Sequence, residues 1–129
     1  MAVLIDTSVL IAEERSGGMV EALVGEELAA LSVITVSELL HGALRADEAH
    51  RITHTAFVES ILHGYTSIPI THRVARVHAG LWSQLAAAGR TIGSHDLWIA
   101  ATALTHGLSV ATLDTRDFER IPGLAILTP

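Results

Sequence analysis

The chain has 129 residues, half of them apolar and 17% charged, and it contains no cysteine. Its net charge of −6 stands against eight arginines, with no lysine at all. These values fit one domain with its own core, and they exclude disulfides, thiolate chemistry, Cys-ligated zinc and any lysine-dependent phosphate loop.

Charge alone makes such a chain a poor non-specific binder of nucleic acid. The charged fraction is also below the usual level of about 25%, so a partner is expected to cover some apolar surface. No run approaches the roughly 18 apolar residues of a membrane span. An acid follows the first five residues and no basic segment precedes it, so no secretory leader is expected and the cytoplasm is the expected compartment.

Residues 2–5 are an apolar run ending at Asp6 and predict a first strand. Residues 8–14 predict a helix, closed by the Ser16-Gly17-Gly18 turn. Apolar residues recur at helical spacing over 19–30. Residues 31–36 are rich in β-formers and predict a second strand, with helix resuming over 38–45. A longer helix is expected over 47–64, with Ile52, Ala56, Ile61 and Leu62 as buried candidates. A third strand follows over 66–70. Residues 71–88 predict a helix with Val74, Val77, Leu81 and Leu85 on one stripe, ended by Gly89. The uncharged run 97–104 predicts a buried helix headed by Asp96 and ended by Gly107. Residues 109–113 predict a fourth strand, and 124–127 a fifth after Pro122-Gly123. Apolar strands separated by helices predict an α/β domain over residues 1–129, a three-layer α/β/α sandwich around a mostly parallel five-stranded sheet.

In open sheets of this kind, ligands sit at the carboxyl ends of the strands. Four acids are expected at that edge. Asp6 closes the first strand, Glu38 follows the second, Asp96 heads the buried helix, and Asp114 follows the fourth strand with Asp117 close behind. Asp47 opens a surface helix and stands apart. Taken singly, each acid also fits a helix cap. Thr35 to Glu38 reads as a capping box, Ser94 to Asp96 as an N-cap with an acid in the first turn, and Asp114 to Asp117 as another. Caps do not explain why the acids converge without a lysine to balance them.

Converging carboxylates repel unless a cation lies between them. Oxygen donors alone suit Mg²⁺ or Mn²⁺, and such an ion could meet a phosphate that the acidic chain itself would repel. The chemistry implied is phosphodiester hydrolysis by metal-activated water.

Asp6-Thr7-Ser8, Glu38 in VSELLHGA, Asp96 in GSHDLWIAATAL and the ending TLDTRDFERIPGL together resemble the PIN domain. More narrowly, they resemble the VapC toxins of toxin–antitoxin pairs. The resemblance covers essentially the whole chain. It implies strand order 3-2-1-4-5, a Mg²⁺-dependent ribonuclease (Mn²⁺ can substitute), a homodimer, and a VapB-type antitoxin that blocks the site. By position, Asp6, Glu38 and Asp96 match the family's first three acids. The fourth is Asp114 or Asp117, and Asp114 is preferred as nearer the strand end. Thr7, Ser8 and Thr112 are candidate hydroxyl supports, although ordinary turn hydrogen bonds would also account for them.

Arg90 and Arg116 are the best candidates for RNA contact, while Arg73 and Arg76 read as surface residues. His41 and His95 neighbour the site. His50 and His54 share a helix face but lack the glutamate of a zinc-protease motif, so a solvated face is expected there. Residues 89–93 form a glycine-bounded loop feeding the site. Two alternatives compete with the nuclease. One is a catalytically inactive PIN-like binding module, against which the intact acid set argues. The other is a haloacid-type phosphohydrolase, which needs a second aspartate where this chain has Ser8.

Overall fold

The structure is a computed structural model and describes residues 2–129. Strand β1 (Val3–Ile5) is buried on both faces and forms the centre of the sheet. Beside it on one side lie β2 (Ala29–Ser32) and then β3 (Thr66–Ile68). On the other side lie β4 (Ser109–Ala111) and then β5 (Ile126–Leu127). All four pairings are parallel and the order is β3-β2-β1-β4-β5, as the resemblance implied. The order reverses direction at β1, so β1 and β4 open a crevice at their carboxyl ends.

Alternation along the strands divides the core in two. Leu4 and Val110 join one cluster, built with α5 (His72–Ala87), α6 (Ser94–His106) and Phe118 of the single-turn α7 (Thr115–Phe118). Val3, Ile5, Leu31 and Ala111 join the other. It is built with α1 (Thr7–Ser16), α3 (Val33–Arg45) and α4 (Glu48–Gly64), with the short α2 (Met19–Leu23) alongside. The uncharged run in α6 is buried as expected, from Leu97 through Ala103 apart from half-buried Trp98. Gly107 ends that helix in the left-handed region, at φ 65°.

Three expectations are corrected. Helix does not extend over 19–30: α2 stops at Leu23, and Ala29–Ser32 is the second strand. The β-branched run Val33 to Val36 is helical instead, because Ser32 caps it by accepting from the Ile34 N–H at 3.1 Å. Thr35 is therefore a buried residue inside α3 and not a cap, and the Thr35–Glu38 capping box does not exist. On α4, Ile52 is 83% exposed and Ala56 is also exposed, while Val58 and Ile61 carry the packing.

The Ser32 cap starts the helix that carries Glu38. Ser32→Ala is expected to destabilise the protein by about 1 kcal/mol without changing the fold, a shift measurable by urea denaturation.

Candidate functional site: an acidic crevice at the end of β1

Asp6 is the first residue past β1 and only 4% exposed. Its backbone N–H donates to the Ala111 carbonyl of β4 at 2.9 Å, so the main chain itself fixes its position. Its Oδ2 accepts from the Ser8 hydroxyl at 2.6 Å and from the Thr112 hydroxyl at 2.8 Å. Those two hydroxyls are themselves held. Ser8 Oγ accepts from the Leu113 N–H at 3.0 Å, and Thr112 Oγ1 from the Asp114 N–H at 2.9 Å. Each hydroxyl thus ties the carboxylate to the loop after β4. Asp6 precedes α1 but makes no side-chain cap, so the capping explanation fails for it.

Glu38 reaches the crevice from the second turn of α3, not the first as the sequence suggested. Its Oε1 accepts from the Thr7 hydroxyl at 2.7 Å, and its Oε2 lies 3.3 Å from His95 Nδ1. Thr7 is buried, and its Oγ1 also lies 3.2 Å from Thr35 Oγ1.

Asp96 stands in the first turn of α6, whose cap position is Gly93 and not Ser94. One carboxylate oxygen each from Asp96, Asp114 and Asp117 falls within 4.8 Å of the others. Asp117 Oδ2 also accepts from the Gly93 N–H at 3.1 Å. The loop 89–93 is further pinned by Arg120, which donates to the Thr91 carbonyl at 2.6 Å. Both candidates for the fourth acid therefore stand in one cluster with Asp96, and Asp117 also braces the entrance to α6. Asp114 heads α7 without capping it through its side chain.

The electrostatics follow from this crowding. Burial raises the Asp6 carboxyl above its ordinary range; the Ser8 and Thr112 hydroxyls oppose that rise and the charge on Glu38 adds to it. The Asp96 carboxyl is pushed up to about 8. Burial is the largest cause, followed by the charge on Asp6, the hydrogen bond with Asp117, and the charges on Asp114 and Asp117. Among the described residues, His95 is the one basic side chain in ion-pair range of a crevice acid. Arg90 and Arg116 are exposed and free to meet a ligand from solvent. A set of hard oxygen donors whose charges are mutually uncompensated fits a small divalent cation, which would favour the ionised form of each.

The PIN-domain family model matches residues 3–124. The chain belongs to the PIN-domain family. It is 40% identical to Ribonuclease VapC1 of Rickettsia felis over 129 residues, which is 99% of this chain and 96% of that one. The crystal structure of VapBC-5, a toxin–antitoxin system of Mycobacterium tuberculosis, superimposes with a TM-score of 0.80 at 36% identity, covering 98% of this chain and 96% of that one. The DNA-bound VapBC of Salmonella typhimurium superimposes with a TM-score of 0.88 at 26% identity, covering 99% and 98%. These relatives put the chain in the VapC branch of the PIN domains and do not favour the phosphohydrolase or the inactive-module alternative.

One histidine of this PIN domain departs from its expected place, and another was not singled out by the sequence. His54 is not on a solvated face: its Nδ1 lies 2.6 Å from the Glu14 carboxylate, tying α4 to α1. No sequence signal links residues so far apart. His78 lies on the buried stripe of α5, between Val74 and Leu81, and stacks on Trp98 of α6 with ring centroids 3.5 Å apart. Its place on that stripe was visible in the spacing. His50 behaves as expected, exposed and paired with Asp47 at 2.7 Å.

Proposed function

We propose that this chain is a Mg²⁺- or Mn²⁺-dependent endoribonuclease acting as the toxin of a toxin–antitoxin pair. The observation that carries the reading is the convergence of Asp6, Glu38, Asp96, Asp114 and Asp117 at the end of β1, with no arginine among the described residues in ion-pair range to neutralise them. Its full-length similarity to a protein named as a ribonuclease supplies the substrate class.

Asp6, Glu38, Asp96 and Asp114 would hold the ion, with Asp117 at the same cluster. When bound, the ion supplies Lewis acidity toward the scissile phosphate and an activated water. The chain's own residues do the positioning. Ser8 and Thr112 aim Asp6, Thr7 aims Glu38, and Asp117 holds the Gly93 N–H at the mouth of α6. Arg90 and Arg116 contact the RNA backbone from the rim.

Thr112→Val tests the positioning. It removes the 2.8 Å donor to Asp6 and the acceptor for the Asp114 N–H. Removing such a supporting hydrogen bond is expected to weaken Mn²⁺ binding about 10- to 100-fold, readable by calorimetric titration.

The partner is a VapB-type antitoxin whose amphipathic segment covers apolar surface and whose basic side chain enters the crevice. The outward face of α3, with Val33, Leu40 and Leu44 exposed, offers surface for this partner and for a second copy in a homodimer. No helix among the described residues is long and apolar enough to cross a membrane.

The test is cleavage of total cellular RNA by the purified protein with Mg²⁺ or Mn²⁺, and again with EDTA. Metal-dependent endonucleolytic ends are expected, together with growth arrest on expression that is relieved by co-expressing the small protein encoded next door. Undiminished cleavage in EDTA overturns the metal reading. Absence of both cleavage and arrest overturns the toxin.

A further inference from the structure

A second concave feature lies beside the acidic crevice and is chemically its opposite. Helices α5 and α6 and the loop between them enclose a groove of about 330 Å³. Its walls are mostly aromatic and aliphatic, with Arg90 at the rim. The groove shares the first turn of α6 with the crevice, since Ser94 lines the groove two residues before Asp96.

Two features of its lining fit a ligand. Trp82 is 64% exposed, unusual for the largest apolar side chain, and its ring meets His78 edge-on at 5.8 Å between centroids. His78 is only 7% exposed, yet none of its ring nitrogens hydrogen-bonds to any described residue. His78 lines the groove, and Trp98 covers one face of its ring with centroids 3.5 Å apart. No fully buried side-chain nitrogen or oxygen among the described residues lacks a partner, so the unbonded His78 nitrogens are open to solvent, where a ligand in the groove can meet them. Burial also lowers the His78 pKa, so the ring is neutral at pH 7 and offers one donor and one acceptor rather than a charge.

A flat exposed indole, an unpaired neutral imidazole and a guanidinium at the rim together match an unstacked base of single-stranded RNA. The base face takes the indole, the base edge takes the imidazole, and the adjoining phosphate takes the arginine. The volume suits one such base with part of its sugar. We propose that the α5–α6 groove is a nucleobase subsite, in which a base flanking the scissile phosphate stacks on Trp82 and is read at its edge by His78. This rests on the ribonuclease reading, because the RNA strand in the crevice is what delivers the base.

The experiment uses the full-length protein, Mn²⁺ and a random-sequence pool of single-stranded 12-nucleotide RNAs, with the new ends sequenced. The wild type is expected to show a base preference at one position beside the cut. Losing the one stacking ring, Trp82→Ala should lower kcat/KM roughly 5- to 150-fold, mainly through KM, and flatten that preference. Trp82→Phe keeps a ring and should retain most of both. Trp82 is exposed, so its loss leaves the core intact, and unchanged circular dichroism checks this. If the wild type cuts no RNA, the ribonuclease reading itself fails. If it cuts and Trp82→Ala cuts with the same kcat/KM and the same end pattern, the subsite is wrong. If the only change is conversion of a wild-type dimer to monomer on sedimentation, the groove is a contact between copies and the subsite is again wrong.

Discussion

Asp96→Asn is expected to remove RNA cleavage by about 100-fold or more while leaving a folded protein. Asparagine preserves the shape of the side chain and removes only its charge. The side chain lies at the head of a helix whose buried residues, Leu97 and Ile99 to Ala103, lock it against the sheet. The fold therefore does not depend on the carboxylate, whereas the oxygen cluster with Asp114 and Asp117 does. Asp6→Asn should act similarly, since Asp6 is fixed by the main chain as well as by Ser8 and Thr112. The two substitutions remove parts of one unit, so the double variant should be scarcely worse than either single one. Glu59→Gln, on an exposed position of α4, is the matched control and should leave the rate unchanged. Initial rates on a fluorescent RNA with Mn²⁺, beside circular dichroism of each variant, decide it. An Asp96→Asn protein retaining a tenth or more of wild-type activity would remove Asp96 from the site.

How much of this was legible beforehand depends on whether the signal was local. Strand-end Asp6 and the uncharged run behind Asp96 announce themselves, because a carboxylate beside buried apolar sequence is rare and costly. The layer architecture follows from apolar strands alternating with helices. The failures came where tertiary context overrode propensity. Val33 to Val36 looks like a strand, yet the Ser32 cap and packing of Ile34 and Val36 against the two core clusters make it helix. That one boundary also misplaced Glu38 by a turn and created a capping box that does not form. Ile52 is a large apolar residue on a helix, and only the packed structure shows it facing solvent. Pairings such as Glu14 with His54 or Gly93 with Asp117 join distant segments and leave no trace in sequence periodicity. The groove beside the site falls between these cases. His78 sat on a recognised stripe, but nothing local said that its nitrogens would be left unpaired.

Without metal, the protein is expected to lose stability as pH rises from 6.5 to 8. The Asp96 carboxyl ionises near 8 in the folded state against an ordinary value of 3.8. Between those values the folded state holds a proton that the unfolded chain has released. Raising the pH there favours unfolding, and the loss is complete only above the folded value. Asp6, also raised, acts in the same direction. His78 acts in the opposite sense. Its pKa is lowered by burial, so it destabilises the fold only as pH falls below about 6.5, where the unfolded imidazole takes up a proton. The window from 6.5 to 8 therefore keeps the His78 contribution small while Asp96 loses its proton. Asp96 is partly exposed, and solvent screening brings the expected effect over the full range down to about 1–3 kcal/mol. Asp96→Asn has no proton to lose. In EDTA it should melt at or above the wild type at pH 8, with a flatter pH profile. Mn²⁺ at a hundredfold its dissociation constant adds about 2.7 kcal/mol to the wild type, because it binds the folded state alone, and should add much less to the variant. If Asp96 were only a helix-start acid, the ordering would reverse: losing its charge would cost about 0.3–1 kcal/mol, and metal would change nothing. Thermal melts of both proteins at pH 6.5 and 8, in EDTA and then in Mn²⁺, distinguish the two. A variant that melts below the wild type in EDTA at pH 8, beside a wild type indifferent to Mn²⁺, would mean that Asp96 serves the helix rather than a metal.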